Sequence, residues 1–182
     1  IDLNQVLLDV IELTRTAWET GAKRRGVTID VHLELFASLP TAGNASELRE
    51  VFTNLVLNAV DAMPQGGGLW VSTENGADVV RVQVRDSGIG MDDETRGRIF
   101  DPFFTTKEIK GTGLGLSVAY GIVSRHRGTI EVTSDPGQGT VFTLAFPVGE
   151  VKETSVDADP AAPDREQIKK RLLEPEGAQP AP

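Results

Sequence analysis

The order in which hydrophobic periodicities follow one another constrains this chain more than any single motif. Val6, Val10, Leu13 and Ala17 recur at helical spacing behind a start, Asp2 to Gln5, that resembles a capping box. Residues 27–36 then alternate apolar and polar, as a strand does. Pro40 to Asn44 form a loop, and Asn44 with Glu47 three residues on marks a second helix. That helix runs to about Met63, where Pro64-Gln65-Gly66-Gly67-Gly68 stops it. Residues 69–73 and 79–86 read as strands paired across 74–78. The stretch 87–112 is glycine-rich, poorly periodic and read as loop. Residues 114–126 form a third helix, with Gly128 as its expected C-cap. Residues 129–133 and 140–146 make a last hairpin around Asp135-Pro136-Gly137-Gln138-Gly139. The order α, β, α, ββ, loop, α, ββ lacks the regular βαβ alternation of a doubly wound parallel sheet. It predicts a two-layer α/β sandwich with a mixed sheet of about five strands and three helices on one face.

Composition sets the outer limits. The 182 residues carry a net charge of −9 from 18 basic and 27 acidic side chains, with no basic stripe, which argues against a nucleic-acid binder. With 0 cysteines there is no disulfide, no Cys-ligated zinc and no thiol catalysis. The absence of cysteine suits the cytoplasm. No apolar run approaches the roughly 20 residues that cross a bilayer, so no membrane contact is expected of this chain. His32 and His126 lie too far apart for a histidine-rich metal site and are read as structural. From residue 150 on there are no aromatics, and 5 of the 10 prolines fall there. Such a stretch buries too little apolar surface to offset its ordering entropy. Residues 1–149 are thus expected to fold and 150–182 to form an acidic, disordered linker or tail, within which 164–173 has at most the makings of a short helix. A first residue of Ile rather than Met leads us to expect a piece of a longer protein, whose parent can still be anchored in a membrane.

Several short segments carry residues suited to chemistry. On the second helix, Leu48, Phe52, Leu55, Ala59 and Ala62 form an apolar stripe, with Asn54 and Asn58 stacked one turn apart beside it. Asn is a middling-to-poor helix former. The pair is either a solvated face or a carboxamide oxygen offered to a hard cation such as Mg²⁺. Asp86-Ser87-Gly88-Ile89-Gly90 ends a strand. It is either a plain turn or a carboxylate poised to accept from an exocyclic amino group, with glycines that let a ligand approach the backbone. Gly111-Thr112-Gly113-Leu114-Gly115-Leu116-Ser117 opens a helix, where free N–H groups and the helix dipole favour an anion. It is neither a P-loop nor a Rossmann fingerprint. Lys107 and Lys110 could add charge there or be solvated. Phe100-Asp101-Pro102-Phe103-Phe104 places 3 of the 7 phenylalanines in the loop, as a core anchor or a lid.

The order of these segments is more specific than any one of them. FTNLVLNAVDAM, DSGIG, FDPFFTTK, GTGLGLS and GQGT resemble the N box, first glycine box, F box, second glycine box and terminal glycine turn of sensor histidine kinases. Residues 1–148 are similar to the catalytic ATP-binding domain of that family, within the gyrase, chaperone, kinase and mismatch-repair ATPase superfamily. FDPFFTTK and NAVDAMPQGG look most like the nitrogen-regulator branch. The resemblance implies a Bergerat-type fold, ATP and Mg²⁺ as ligands, and transfer of the γ-phosphate to a histidine. It implies that Asn58 ligates Mg²⁺ with Asn54 in support, and that Asp86 reads the adenine amino group with Thr140 nearby. Gly88 and Gly90 let the base lie against the backbone, Gly111, Gly113, Leu114 and Gly115 offer N–H groups to the phosphates, and Phe100 to Lys107 form the lid. Asp61, Thr106, Thr112 and Leu116 complete the expected nucleotide contacts, and Asn54, Asn58 and Lys107 the catalytic set.

Hydrolysing relatives carry a Glu one turn before the metal-ligating Asn. Here Asn54 stands there, and an amide cannot take a proton at neutral pH. Transfer to a protein acceptor is therefore expected over rapid hydrolysis. The implied partners are an upstream dimerisation and phosphoacceptor domain of the same protein and the receiver domain of a response regulator. The chain departs from the family pattern in a shorter 107–110 linker and in Asp61, where many kinases have Lys. The other classes left open are an ATP-hydrolysing conformational machine, a serine kinase of the anti-sigma type and a non-catalytic nucleotide sensor.

Overall fold

Helix α1 (Leu3–Leu13) begins where Asp2 accepts hydrogen bonds from the backbone N–H groups of Asn4 and Gln5. The Gln5 side chain donates to Asp9 instead of returning to the cap. The helical path continues past Leu13 as a π-helical segment, Thr16–Gly21, and a single turn, α2 (Ala22–Arg24), so Ala17 lies outside α1. Strand β1 (Ile29–Leu35) follows, then α3 (Ala45–Asp61), β2 (Gly67–Asn75) and β3 (Val79–Asp86). A short helix α4 (Asp93–Arg98), helix α5 (Gly115–Arg125) and the hairpin β4 (Thr129–Asp135) and β5 (Gly139–Pro147) complete the unit. This computed structural model describes residues 1–106 and 112–149. The expected linker or tail at 150–182, its 164–173 segment and the site candidates Lys107 and Gly111 lie outside the described residues.

The five strands form one sheet in the order β1-β2-β3-β5-β4. β1 runs parallel to β2, linked across α3, and the remaining pairs are antiparallel. The mixed sheet matches the expectation. One sheet face supplies Leu69, Val71, Val82, Val84, Leu144 and Phe146, all at or near zero exposure. Helix α3 packs against both α1 and α5. It buries Leu48, Val51, Phe52, Leu55 and Val56, and Phe52 meets Phe146 edge to face at 6.3 Å. The other sheet face carries His32 stacked on Trp70 at 5.3 Å, with the Arg85 guanidinium 5.0 Å above the same indole. His32 therefore has a structural partner.

Two local features differ from the sequence reading. Residues 87–112 contain α4, started by Asp92, whose carboxylate accepts from Thr95 N–H. Its sequence DETRGR has no apolar stripe, so periodicity alone could not show it. The end of α5 also departs from the expectation. The left-handed residue is Arg127, at φ 54°, and not Gly128. Arg127 N–H bonds Ser124 O and Gly128 N–H bonds Val123 O, a Schellman closure. Gly128 is required for another reason: a Cβ there would lie 2.8 Å from Ala145 O and 2.9 Å from the Phe146 ring. His126 is 5% exposed at its side chain and ties α5 to α3. Its Nε2 accepts from Asn44 N–H at 3.0 Å, and its Nδ1 lies 2.8 Å from Ile122 O, so the geometry fits a neutral ring with the proton on Nδ1.

Candidate functional site

A cleft of about 400 Å³ opens between α3, the start of α5, the end of β3 and the 99–106 loop. At its inner end stands Asp86, the last residue of β3 and only 3% exposed. One carboxylate oxygen accepts from Gly88 N–H at 2.8 Å. Burial pushes the carboxyl above the ordinary Asp range, and the N–H groups of Gly88 and Thr140 pull it back in part. Thr140 faces Asp86 directly across the β3–β5 ladder.

The loop after Asp86 is clamped on two sides. Ile89 N–H bonds Ala62 O at the end of α3, and Gly137 N–H bonds Ile89 O from the β4–β5 turn. These clamps explain the glycines differently from the sequence expectation. A Cβ on Gly88 would lie 2.3 Å from Ala62 O, and one on Gly90, at φ +65°, would lie 1.9 Å from Asp135 O. Close packing against the protein's own backbone demands these glycines. Gly90 also lines the cleft, and Gly88 does not.

At the outer end, α3 presents Asn54, Asn58 and Asp61 to the cleft. The Asn44 cap anchors that helix by accepting from Ser46 and Glu47 N–H groups. The Asn54 amide donates to Gly115 O at 3.2 Å, so α3 holds the first turn of α5. Among the described residues, no side chain caps α5 at its N-terminus. Free N–H groups at a helix start carry the polarity that favours an anion. Thr112, Gly113, Gly115 and Leu116 line this end. Gly113 sits at φ +67°, where a Cβ would lie 2.4 Å from the Phe103 carbonyl carbon, and Phe103 N–H bonds Gly113 O at 2.9 Å. Phe103 itself takes φ 67°.

The 99–106 loop is anchored from beneath. Ile99 is buried, Phe100 lies 5.3 Å from the Tyr120 ring, and the Arg98 guanidinium sits 4.4 Å above Phe104. Phe104, Thr105 and Thr106 line the cleft. Phe100 serves α5 and is not a lining residue.

A family model for histidine kinase-, DNA gyrase B-, and HSP90-like ATPases matches residues 43–150. The chain belongs to this ATPase family. Among family relatives, sporulation kinase E of Bacillus subtilis (strain 168) is 36% identical over 148 residues, covering 80% of this chain and 19% of the kinase. The catalytic domain of histidine kinase ThkA superposes with a TM-score of 0.69 at 32% identity, covering 81% of this chain and 93% of that domain. The same protein has been solved in complex with response regulator protein TrrA, with a TM-score of 0.65 at 29% identity, over 82% of this chain and 41% of that one. Full-length ShkA in complex with AMPPNP superposes with a TM-score of 0.69 at 27% identity, over 82% of this chain and 31% of that one. The chain spans 19% to 33% of the length of the first curated relatives it matches.

Within the family's fold, the structure brings most of the sequence-selected residues to one place. Asn54, Asn58, Asp61, Asp86, Gly90, Thr106, Thr112, Gly113, Gly115, Leu116 and Thr140 all line the cleft. Gly88, Phe100 and Leu114 do not. Leu114 is the N-cap residue of α5 and is 37% exposed. Met91, Thr95 and Ile99 line the cleft without belonging to any motif. Sequence periodicity gives no sign of them, because they sit on or beside the polar helix α4.

Proposed function

We propose that this chain binds Mg·ATP in the cleft and presents the γ-phosphate to a histidine on a separate dimerisation domain. One observation carries the reading: a buried carboxylate, a helix bearing carboxamides and an uncapped helix N-terminus meet on a single cleft. A volume of about 400 Å³ suits a nucleotide-sized ligand. Asp86 would accept from the exocyclic amino group of adenine. Gly113, Gly115 and Leu116, joined by Gly111 and Lys107, would hold the phosphates through N–H groups and charge.

The donor set fits a hard cation held jointly by protein and nucleotide. Among the described residues no cluster of three His, Cys, Asp or Glu forms. Asn58 supplies a carboxamide oxygen, with Asp61 on the next turn, and such a site takes Mg²⁺ with phosphate and water oxygens. Mg²⁺, when bound, neutralises phosphate charge. Asn54 has no basic atom to accept a proton from water, and its Nδ2 is engaged by Gly115 O. The chain's own residues thus position the nucleotide and leave the attacking group to an acceptor domain.

In this reading residues 1–149 are the nucleotide-binding unit and the acceptor helices belong to another part of the protein. The downstream partner is a receiver domain, which the ThkA complex with a response regulator supports. No nucleic acid is involved. No helix of the described residues is long and apolar enough to cross a membrane, and we assign the reaction to the cytoplasm. The test is a phosphotransfer assay with this chain, labelled Mg·ATP and the separately supplied dimerisation domain of its parent. The expected product is acid-labile, alkali-stable phosphohistidine. Release of inorganic phosphate alone, or phosphoserine on a protein substrate, would contradict it in favour of a hydrolysing machine or a serine kinase.

A further inference from the structure

Asp86, Thr140 and Ser134 occupy one row across three neighbouring strands. Asp86 pairs with Thr140 across β3–β5, and Thr140 with Ser134 across β5–β4. All three are buried, at 3%, 5% and 2% exposure. Side chains in such a row point to the same sheet face and touch. Asp86 and Thr140 line the cleft, and Ser134 stands behind them.

The hydrogen bonds at Ser134 Oγ settle the direction of the Thr140 hydroxyl. Ser134 Oγ donates to Gly139 O at 2.9 Å. It accepts from Met91 N–H at 2.9 Å and lies 3.0 Å from Thr140 Oγ1. A serine hydroxyl has one proton and two lone pairs. A carbonyl brings no proton, so the Ser134 proton goes to Gly139. An amide brings no lone pair, so Met91 occupies one acceptor position. The remaining contact requires Thr140 to donate to Ser134. Thr140 then keeps only lone pairs for any ligand, beside a carboxylate that, when ionised, also only accepts. Ser134 is held from its other side by Arg96, which donates to Ser134 O at 2.7 Å.

We infer that Ser134 is a positioning residue for base selectivity: it fixes Thr140 as an acceptor, so that the inner end of the cleft admits a base bringing donors and opposes one bringing a 6-oxo group. The inference rests on the nucleotide reading above and adds to it the residue that sets the hydroxyl's polarity. An amino group satisfies both acceptors, directly or through a water. A carbonyl oxygen at the same place faces two acceptors with no proton between them.

The test compares ADP with inosine diphosphate, each with Mg²⁺, by calorimetric titration of the full 182-residue chain. The wild-type chain is expected to prefer ADP. Ser134→Ala frees the Thr140 proton to turn toward the base and lowers the ADP-to-IDP affinity ratio by about three- to tenfold, the scale of one hydrogen bond. In a Thr140→Val background the same Ser134→Ala change leaves the ratio unaltered, because the group it acts through is gone. An equal fall in both backgrounds would show a merely structural role and overturn the inference, as would no fall at all. A wild-type chain that binds neither nucleotide overturns the reading of the cleft itself, and the inference with it. Nuclear Overhauser data on the wild-type chain decide the matter even if Ser134→Ala does not fold. The Thr140 hydroxyl proton is expected close to the Met91 amide proton, both directed at Ser134 Oγ. A Ser134 hydroxyl proton directed at Thr140 instead would overturn the inference.

Discussion

Asp86 sits where its charge is costly. Burial raises its native pKa above the unfolded value. A group shifted this way adds stability that is fully present below the unfolded pKa and lost as pH rises through the native one. Above its unfolded pKa, burial of this carboxyl therefore weakens the empty fold. Asp86→Asn keeps an oxygen for Gly88 N–H and removes that charge. The variant is expected to melt at or above the wild-type temperature at pH 7 while losing ADP binding. The gap in melting temperature should close as pH falls through the native pKa, and a melting series at several pH values checks the sign. Gly90→Ala tests the clamp beside it: a Cβ 1.9 Å from Asp135 O at φ +65° should cost about 2 kcal/mol or more in denaturant unfolding. At this scale Asp86, Thr140 and the Asn54–Asn58 pair were singled out only by the order of their motifs, since each motif alone left a plain turn or a solvated face open; the structure brings all four to one cleft. Ser134 was not legible in the sequence, since a serine in a short strand looks like any other until its three partners are in place.

Helix boundaries followed from caps where the capping residue was polar. Asn44 caps α3 as expected, and its replacement by Ala should cost about 1 kcal/mol in denaturant unfolding. The end of α5 misled because a glycine near a helix end suggests a left-handed cap, whereas here the left-handed residue is Arg127. Two substitutions separate the roles. Arg127→Gly relieves a positive φ and should stabilise by about 0.5–1 kcal/mol. Gly128→Ala should destabilise, because its Cβ would meet Ala145 O and the Phe146 ring. A destabilising Arg127→Gly would instead return the cap to Gly128. Helix α4 stayed hidden for a different reason: it has six residues, none of them buried, and its start depends on a single Asp92 cap.

For the whole molecule, alternation of periodicities was enough to exclude a doubly wound sheet and to predict five mixed strands under helices. The sheet order, which places β5 between β3 and β4, depends on long-range pairing that local patterns do not carry. That order makes the cleft: it sets Thr140 opposite Asp86, while the packing of α3 on α5 brings Asn58 and the α5 N-terminus to the other end. The most direct test of the account is calorimetric titration of this chain with ADP and Mg²⁺, run beside Asp86→Asn. The account predicts saturable binding to the wild-type chain that the variant loses with its fold intact. No binding to the wild-type chain, or equal binding to both, would contradict it.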